Sequence, residues 1–87
     1  MEKLTEEQAR ELIDRVKADV LENKFIRMGQ SLFNNLYAIN PTLADSIRAT
    51  NSDPFYNNEL IGSFLQATVS DEGLLYIYCQ IPTFFQK

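Results

Sequence analysis

The side chains that most enzymes use for proton transfer and metal binding are scarce in this sequence. It contains no histidine and a single cysteine, Cys79, so zinc sites of the Cys/His type and histidine-dependent nucleophilic sites cannot be assembled. Its three glycines are isolated from one another, which excludes a glycine-rich phosphate loop. Its acidic residues do not have the spacing of a calcium loop. We therefore expect no catalytic residue, no metal site and no cofactor.

Arginines and aromatic residues are the side chains best suited to binding. Several lie in the polar and aromatic run RATNSDPFYNN, residues 48–58, and two tyrosines lie in the later run LLYIYCQI. An arginine near aromatic rings can hold a carboxylate or phosphate through two parallel hydrogen bonds. The alternative is an intramolecular pair of Arg48 with Asp53 that only fixes the loop. The candidate binding residues are Arg27, Arg48, Asp53, Phe55, Tyr56, Tyr76 and Tyr78.

An amphipathic helix is predicted over residues 5–23, the first of the elements that must position these side chains. Thr5 and Gln8 have the spacing of a capping box, and charged residues fill the positions between the apolar ones. The apolar residues recur at three- and four-residue steps, as expected for one buried face. They are Ala9, Leu12, Ile13, Val16, Val20 and Leu21.

Three shorter helices are predicted over residues 25–66. The first follows the run FIRMGQSLFNNLYAI and ends at Asn40, because Pro41 disfavours helical geometry in the residue before it. Its buried side is predicted to carry Phe25, Met28, Leu32, Phe33 and Leu36. Pro41 then suits the first turn of the second helix, TLADSIRAT. The third helix contains ELIGSFLQA, where Gly62 indicates close packing against another element.

The loop between the second and third short helices has a structural explanation for each polar residue. Asp53 can cap a turn that begins at Pro54, and Asn57 or Asn58 can cap the helix that follows. We expect Phe55 and Tyr56 to anchor this loop to the core.

A β-strand or hairpin is predicted at the C-terminal end, over residues 68–87. SDEG is typical of a turn, and LLYIYCQI is rich in residues favoured in strands, with Cys79 as a buried small side chain. The strand pairs either with Thr68-Val69 or with a second copy of the chain, and the surplus apolar surface favours a homo-oligomer. The predicted fold is mainly α, a single domain over residues 1–87 in which a long N-terminal helix and three shorter helices form a compact bundle beside the strand.

Charge and segment patterns restrict the partners. The net charge of −4 argues against direct nucleic-acid binding. The charged N-terminus does not have the pattern of a signal peptide, and no apolar run approaches the ~18 residues of a membrane span. One cysteine fits a reducing compartment, so we expect a cytoplasmic protein that does not bind membranes.

The motifs GQSLFN, LADSIR and DPFY follow one another in this order between residues 25 and 65. In this respect the sequence resembles small accessory proteins of tailed bacteriophages. The resemblance implies a phage origin, a compact helical unit and a location in the bacterial host cytoplasm. It implies no activity and transfers no functional residue.

Three hypotheses for function follow, and the sequence does not choose among them. In the first, the protein is a non-enzymatic phage accessory protein that binds and inhibits or redirects a bacterial host or defence protein, as a homo-oligomer. In the second, an oligomer interface formed by Arg27, Arg48, Tyr56 and neighbouring asparagines captures an anionic small ligand, such as a cyclic nucleotide signal. In the third, the protein is a minor structural component of the virion.

Overall fold

The fold is a mainly helical globule. The computed structural model describes residues 3–23, 25–48 and 50–80, except for the side chain of Asn58. Across these residues the chain forms five α-helices and a 3₁₀ turn, Asn58–Leu60, without a β-strand. The prediction of a mainly α fold is thus confirmed. None of the described helices has both the length and the apolar character needed to cross a membrane. The helices are α1 Glu6–Glu22, α2 Met28–Ile39, α3 Pro41–Ile47, α4 Ile61–Thr68 and α5 Asp71–Gln80.

Helix α1 begins with the predicted capping box. The backbone N–H of Gln8 donates to Thr5 Oγ1 at 3.2 Å, and the N–H of Thr5 donates to Gln8 Oε1 at 3.0 Å. These two bonds satisfy N–H groups that the first helical turn leaves without a partner. The buried face ends at Val16, whereas Val20 and Leu21 are 39% and 84% exposed. The prediction that Val20 and Leu21 lie on the buried face was therefore wrong.

A polar link joins α1 to α2. Asp19 Oδ2 accepts hydrogen bonds from Ser31 Oγ at 2.9 Å and from Asn35 Nδ2 at 2.7 Å. Ser31 and Asn35 are both buried, and a buried donor left without a partner costs about 1–3 kcal/mol. The carboxylate of Asp19 therefore fixes which face of α2 is turned toward α1.

The boundary between α2 and α3 lies where the Asn-Pro pair predicts it. Asn40 closes α2 with its backbone N–H and starts α3 with its side chain, because Asn40 Oδ1 accepts the N–H of Leu43 at 3.1 Å. Pro41 occupies the first position of α3, where its missing N–H costs nothing. Asn40 is therefore the boundary residue that α2 and α3 share.

The hydrophobic core lies between all five helices. It includes residues from every helix and two from outside the helices, Leu4 before α1 and Val69 between α4 and α5. The buried apolar residues are Leu4, Ala9, Leu12, Ile13, Val16, Leu32, Phe33, Leu36, Leu43, Ala44, Ile47, Ile61, Phe64, Leu65, Val69 and Ile77.

Residues 71–80 form helix α5, so the C-terminal strand or hairpin predicted for this region is absent from the described residues. Residues 81–87 of the predicted segment lie outside the described residues. Ser70 shows why SDEG begins a helix instead of a turn. Its Oγ accepts the N–H of Gly73 at 3.3 Å and its carbonyl accepts the N–H of Leu74 at 2.8 Å, while Asp71 and Glu72 place negative charge at the helix N-terminus.

Val69 pairs with Leu4, and not across a hairpin, which was one of the two predicted pairings. The N–H of Leu4 donates to the carbonyl of Thr68 at 2.7 Å, and the N–H of Ser70 donates to the carbonyl of Leu4 at 2.9 Å. Lys3 Nζ also donates to the carbonyl of Gln66 at 2.8 Å. The segment before α1 is therefore tied to the connection between α4 and α5.

Close packing of α5 on α1 depends on Gly73, whereas the sequence pattern indicated close packing at Gly62. A Cβ atom on Gly73 would lie 2.5 Å from Val69 Cγ1 and 3.0 Å from Ala9 Cβ. At Gly62, by contrast, a Cβ would have no neighbour within 4 Å, so the prediction of close packing there was wrong. Cys79 is exposed on α5 and is not the buried side chain expected in a strand.

Candidate functional site

The segment 50–60 is a series of hydrogen-bonded turns. Its backbone bonds, all 3.1 Å long, run between residues three apart, and Pro54 in its centre is fully buried. Asp53 Oδ1 accepts the N–H of Phe55 at 2.9 Å, and Asn57 Oδ1 accepts the N–H of Glu59 at 2.9 Å. The predicted cap at Asp53 is thus confirmed. Asn57 caps the 3₁₀ turn Asn58–Leu60, whereas α4 follows with Leu60 at its N-terminal boundary and without a side-chain cap. These bonds hold the segment in one conformation, which fixes the positions of Phe55 and Tyr56.

Helix α2 provides the facing wall through Phe33 and Tyr37. The two rings are four residues apart and therefore lie one above the other on the same helix face. The guanidinium carbon of Arg48 lies 5.6 Å from the ring centre of Phe33 and 5.5 Å from that of Tyr37. Arg48 also pairs with Asp45 at 3.3 Å. Each cation–π contact at such exposed sites is worth about 0.5–1 kcal/mol, so Arg48 is held against the wall.

The aromatic rings form a continuous ladder from the core to the surface. Phe33, 6% exposed, meets Phe55 edge-on with ring centres 5.9 Å apart, and Phe55 meets Tyr56 at 4.7 Å. Tyr56 is 82% exposed. Arg27 donates from Nη2 to the carbonyl of Phe55 at 3.1 Å, and its guanidinium carbon lies 5.8 Å from the Tyr56 ring centre. The exposed ring of Tyr56 is therefore supported on one side by Phe55 and on another by a cation.

These side chains enclose a surface cleft of about 500 Å³, which we call the aromatic cleft. This volume is within the range of roughly 300–1,000 Å³ typical of small-ligand sites. Most of its lining is apolar, with one basic and one acidic side chain among it. It is lined by Phe33, Asn34, Tyr37, Arg48, Asp53, Phe55 and Tyr56.

Four of the seven candidate binding residues line the aromatic cleft, namely Arg48, Asp53, Phe55 and Tyr56. Arg27 lies at its edge, over Tyr56. Phe55 is half-buried against the core, as expected for an anchor, but Tyr56 is exposed and does not anchor the loop.

The other two candidates, Tyr76 and Tyr78, lie on α5 and do not line the aromatic cleft. The ring of Tyr76 is covered by Arg10 of α1, whose guanidinium carbon is 4.5 Å from its centre. Tyr78 is 47% exposed, and Leu75 beside it is 67% exposed. The apolar surplus expected at this end of the chain therefore persists on α5 as an exposed helix face.

Sequence reasoning did not identify two members of the cleft, Phe33 and Tyr37, as binding residues. Phe33 was assigned to the buried face of its helix, which is correct but incomplete, since one edge of the ring also forms the cleft floor. The available signal was the pair of aromatic residues four apart on a predicted helix.

A second, smaller groove of about 320 Å³ lies between the end of α1 and the start of α2. It is lined by Val16, Lys17, Val20, Leu21 and Met28, and its surface is almost wholly apolar. Phe25, which the sequence pattern assigned to a buried face, is 93% exposed in the connection between the two helices.

No group of three or more acidic or cysteine side chains in the described ranges is arranged to hold a metal ion. Comparison of the chain with protein-family models, with curated proteins and with solved structures finds no match.

Proposed function

We propose that this protein acts by binding a partner protein and that the aromatic cleft is the surface that receives it. The supporting observation is the composition and exposure of the cleft. Tyrosine and arginine are enriched among the residues that dominate binding energy at protein interfaces. The cleft brings Tyr37, Arg48 and Tyr56 together at the surface, with Tyr56 82% exposed and yet held by its ring contact with Phe55 and by the Arg27 guanidinium. A ring held in this way loses little conformational freedom on binding.

The identity of the partner is proposed from the sequence resemblance. A phage accessory protein in the cytoplasm of its host would bind a bacterial host or defence protein and inhibit or redirect it. Self-association is part of the proposal, because Leu21, Phe25 and Leu75 leave large apolar side chains exposed. Light scattering after size-exclusion chromatography measures the oligomeric state, and we expect a dimer or larger assembly at micromolar concentration.

Affinity purification from bacterial cells followed by mass spectrometry tests the proposal. The parent protein, a Tyr56→Ala variant and a Tyr78→Ala variant are compared. Tyr78 is the matched control because it is a partly exposed tyrosine on α5 that does not line the cleft. We expect Tyr56→Ala to reduce capture of the partner at least tenfold and Tyr78→Ala to leave it unchanged. Equal capture by the parent and the Tyr56→Ala variant would contradict the proposal.

A second candidate function is capture of an anionic small molecule, such as a cyclic nucleotide. The observation that favours it is the position of the Arg27 guanidinium over the exposed Tyr56 ring, since a purine can stack on the tyrosine while its phosphate binds the arginine. A ligand at one hundred times its dissociation constant stabilises a protein by about 2.7 kcal/mol. Thermal unfolding against a panel of cyclic nucleotides measures this effect, and a panel without any shift would rule this candidate out.

A further inference from the structure

The two arginines at the aromatic cleft differ in whether they are already paired with a carboxylate. This difference affects which ligand the cleft can bind. Arg48, which lines the cleft, already pairs with Asp45 at 3.3 Å. Arg27, at the cleft edge over Tyr56, takes part in none of the salt bridges found among residues 3–23, 25–48 and 50–80. One of its donors is bonded to the carbonyl of Phe55, and a guanidinium carries five. Arg27 is therefore a positioned cation with donor capacity for an incoming anion.

Asp53 limits how much negative charge the cleft can accept. Its carboxylate is part of the lining, and like charges at close range in a partly dehydrated site repel strongly. An anionic group inside the cleft would meet this repulsion. At the cleft edge the positive charge of Arg27, which lies over Tyr56, offsets it.

The aromatic side chains that line the rest of the cleft are suited to binding an aromatic ring of a ligand. Phe33 and Phe55 form the floor, while Tyr37 and Tyr56 provide partly exposed walls. Aromatic rings prefer edge-on and offset contacts with other rings, at centre distances of about 4.5–7 Å, and the ladder already uses this geometry between its own members. An added ring can extend the ladder beside Tyr56.

We infer that the aromatic cleft recognises a peptide segment in which an aromatic side chain stands next to an acidic one. The aromatic side chain enters the cleft between Tyr37 and Tyr56, and the carboxylate binds the Arg27 guanidinium. This inference rests on the proposed protein-binding function and names the chemistry of the partner at that same surface. The charge complementarity is limited to the ligand carboxylate and the Arg27 guanidinium, since the chain as a whole carries a net charge of −4.

The test follows backbone amide chemical shifts of the full ¹⁵N-labelled chain during titration with acetyl-Phe-Glu-amide to about 10 mM, a range chosen because so small a ligand binds weakly. We expect saturable shifts at Tyr37, Arg48, Phe55 and Tyr56. Acetyl-Phe-Gln-amide removes the charge and acetyl-Ala-Glu-amide removes the ring. Each should bind about tenfold more weakly, which corresponds to about 1.4 kcal/mol.

Variants at Arg27 assign the charge preference to one residue. Arg27→Gln should abolish the preference for Glu over Gln in the peptide, and Arg27→Lys should retain a smaller preference because the charge remains without the planar donor pair. Arg15→Gln is the matched control, since Arg15 is an exposed arginine of α1 that pairs with Glu11 and does not line the cleft. It should leave the affinity unchanged.

Four results would overturn the inference: equal affinity for the Glu and Gln peptides, shifts confined to the groove at Val20 and Met28, tighter binding of cyclic AMP than of acetyl-Phe-Glu-amide in the cleft, or no saturable shift with any peptide. If Tyr56-dependent partner capture is nevertheless observed, the protein-binding function stands and only the ligand chemistry is wrong.

Discussion

Helix α5 and the turn segment 50–60 both carry aromatic and aliphatic side chains, and they hold them differently. On α5, Gly73 and Ile77 are buried on the α1 side, whereas Leu75 and Tyr78 remain exposed on the outer side. In the turn segment, Phe55 and Tyr56 are held by backbone turns, ring contacts and Arg27 while Tyr56 stays exposed.

Because of this difference, we expect α5 to contribute mainly to stability and the turn segment 50–60 to contribute mainly to binding. Removing apolar area from water contributes about 25 cal/mol per Å² to folding, so the inner face of α5 stabilises the globule. The cleft rings remain partly in contact with water, and their fixed positions instead lower the entropy lost when a ligand binds. We therefore expect substitutions on the inner face of α5 to reduce stability, and substitutions of exposed cleft residues to reduce binding alone.

Ile77→Ala should give the larger stability effect in this comparison. Ile77 is 0% exposed, and truncating a buried isoleucine to alanine costs about 2–5 kcal/mol. Leu75→Ala on the exposed side of the same helix should change stability by less than about 0.5 kcal/mol. Urea unfolding followed by far-ultraviolet circular dichroism measures both. If the two variants were equally stable, α5 would not be packed on α1 through this face.

Substitutions at two glycines should have opposite signs. Gly73→Ala places a methyl group against the buried side chains of Val69 and Ala9, and overpacking of this kind costs about 1–3 kcal/mol. Gly62→Ala meets open space in α4 and should stabilise by about 0.5 kcal/mol, because alanine restricts the unfolded chain. Thermal unfolding of the two variants beside the parent measures both signs. A stable Gly73→Ala protein would mean that α5 can move away from α1 without loss.

Local signals in the sequence predict much of the helical scaffold and the turn segment. The Thr5–Gln8 capping box, the Asn40-Pro41 boundary and the Asp53 cap are interactions within three residues of the chain, and all three form. Such short-range bonds depend little on the rest of the fold.

The C-terminal prediction failed because tertiary packing overrode residue preference. LLYIYCQI favours a strand when judged by its residue types, but strand propensity depends on a sheet surface to pack against. In the fold, the four-residue spacing of Gly73 and Ile77 matches a helix face that packs on α1. The sequence contains this spacing, but the spacing favours a helix over a strand only because α1 lies beside it and buries that face.

The aromatic cleft was predicted only in part, because some of its contacts also depend on tertiary packing. The turn residues Asp53, Phe55 and Tyr56 are adjacent in sequence and were identified together. Their contacts with Phe33 and Tyr37 join residues about twenty apart, and periodicity assigns a residue to a helix face without specifying which loop will cover its edge.

Tyr56→Ala should have little effect on stability. The side chain is 82% exposed, and surface substitutions of this kind change stability by less than about 0.5 kcal/mol. Phe33→Ala is the matched contrast within the same ring ladder, because Phe33 is 6% exposed and should cost about 3–5 kcal/mol. Urea unfolding measures both, and the Tyr56 result decides how any loss of binding is interpreted. A cost above about 1 kcal/mol at Tyr56 would show that its ring supports the turn segment, and lost binding would then reflect a displaced loop instead of a lost contact.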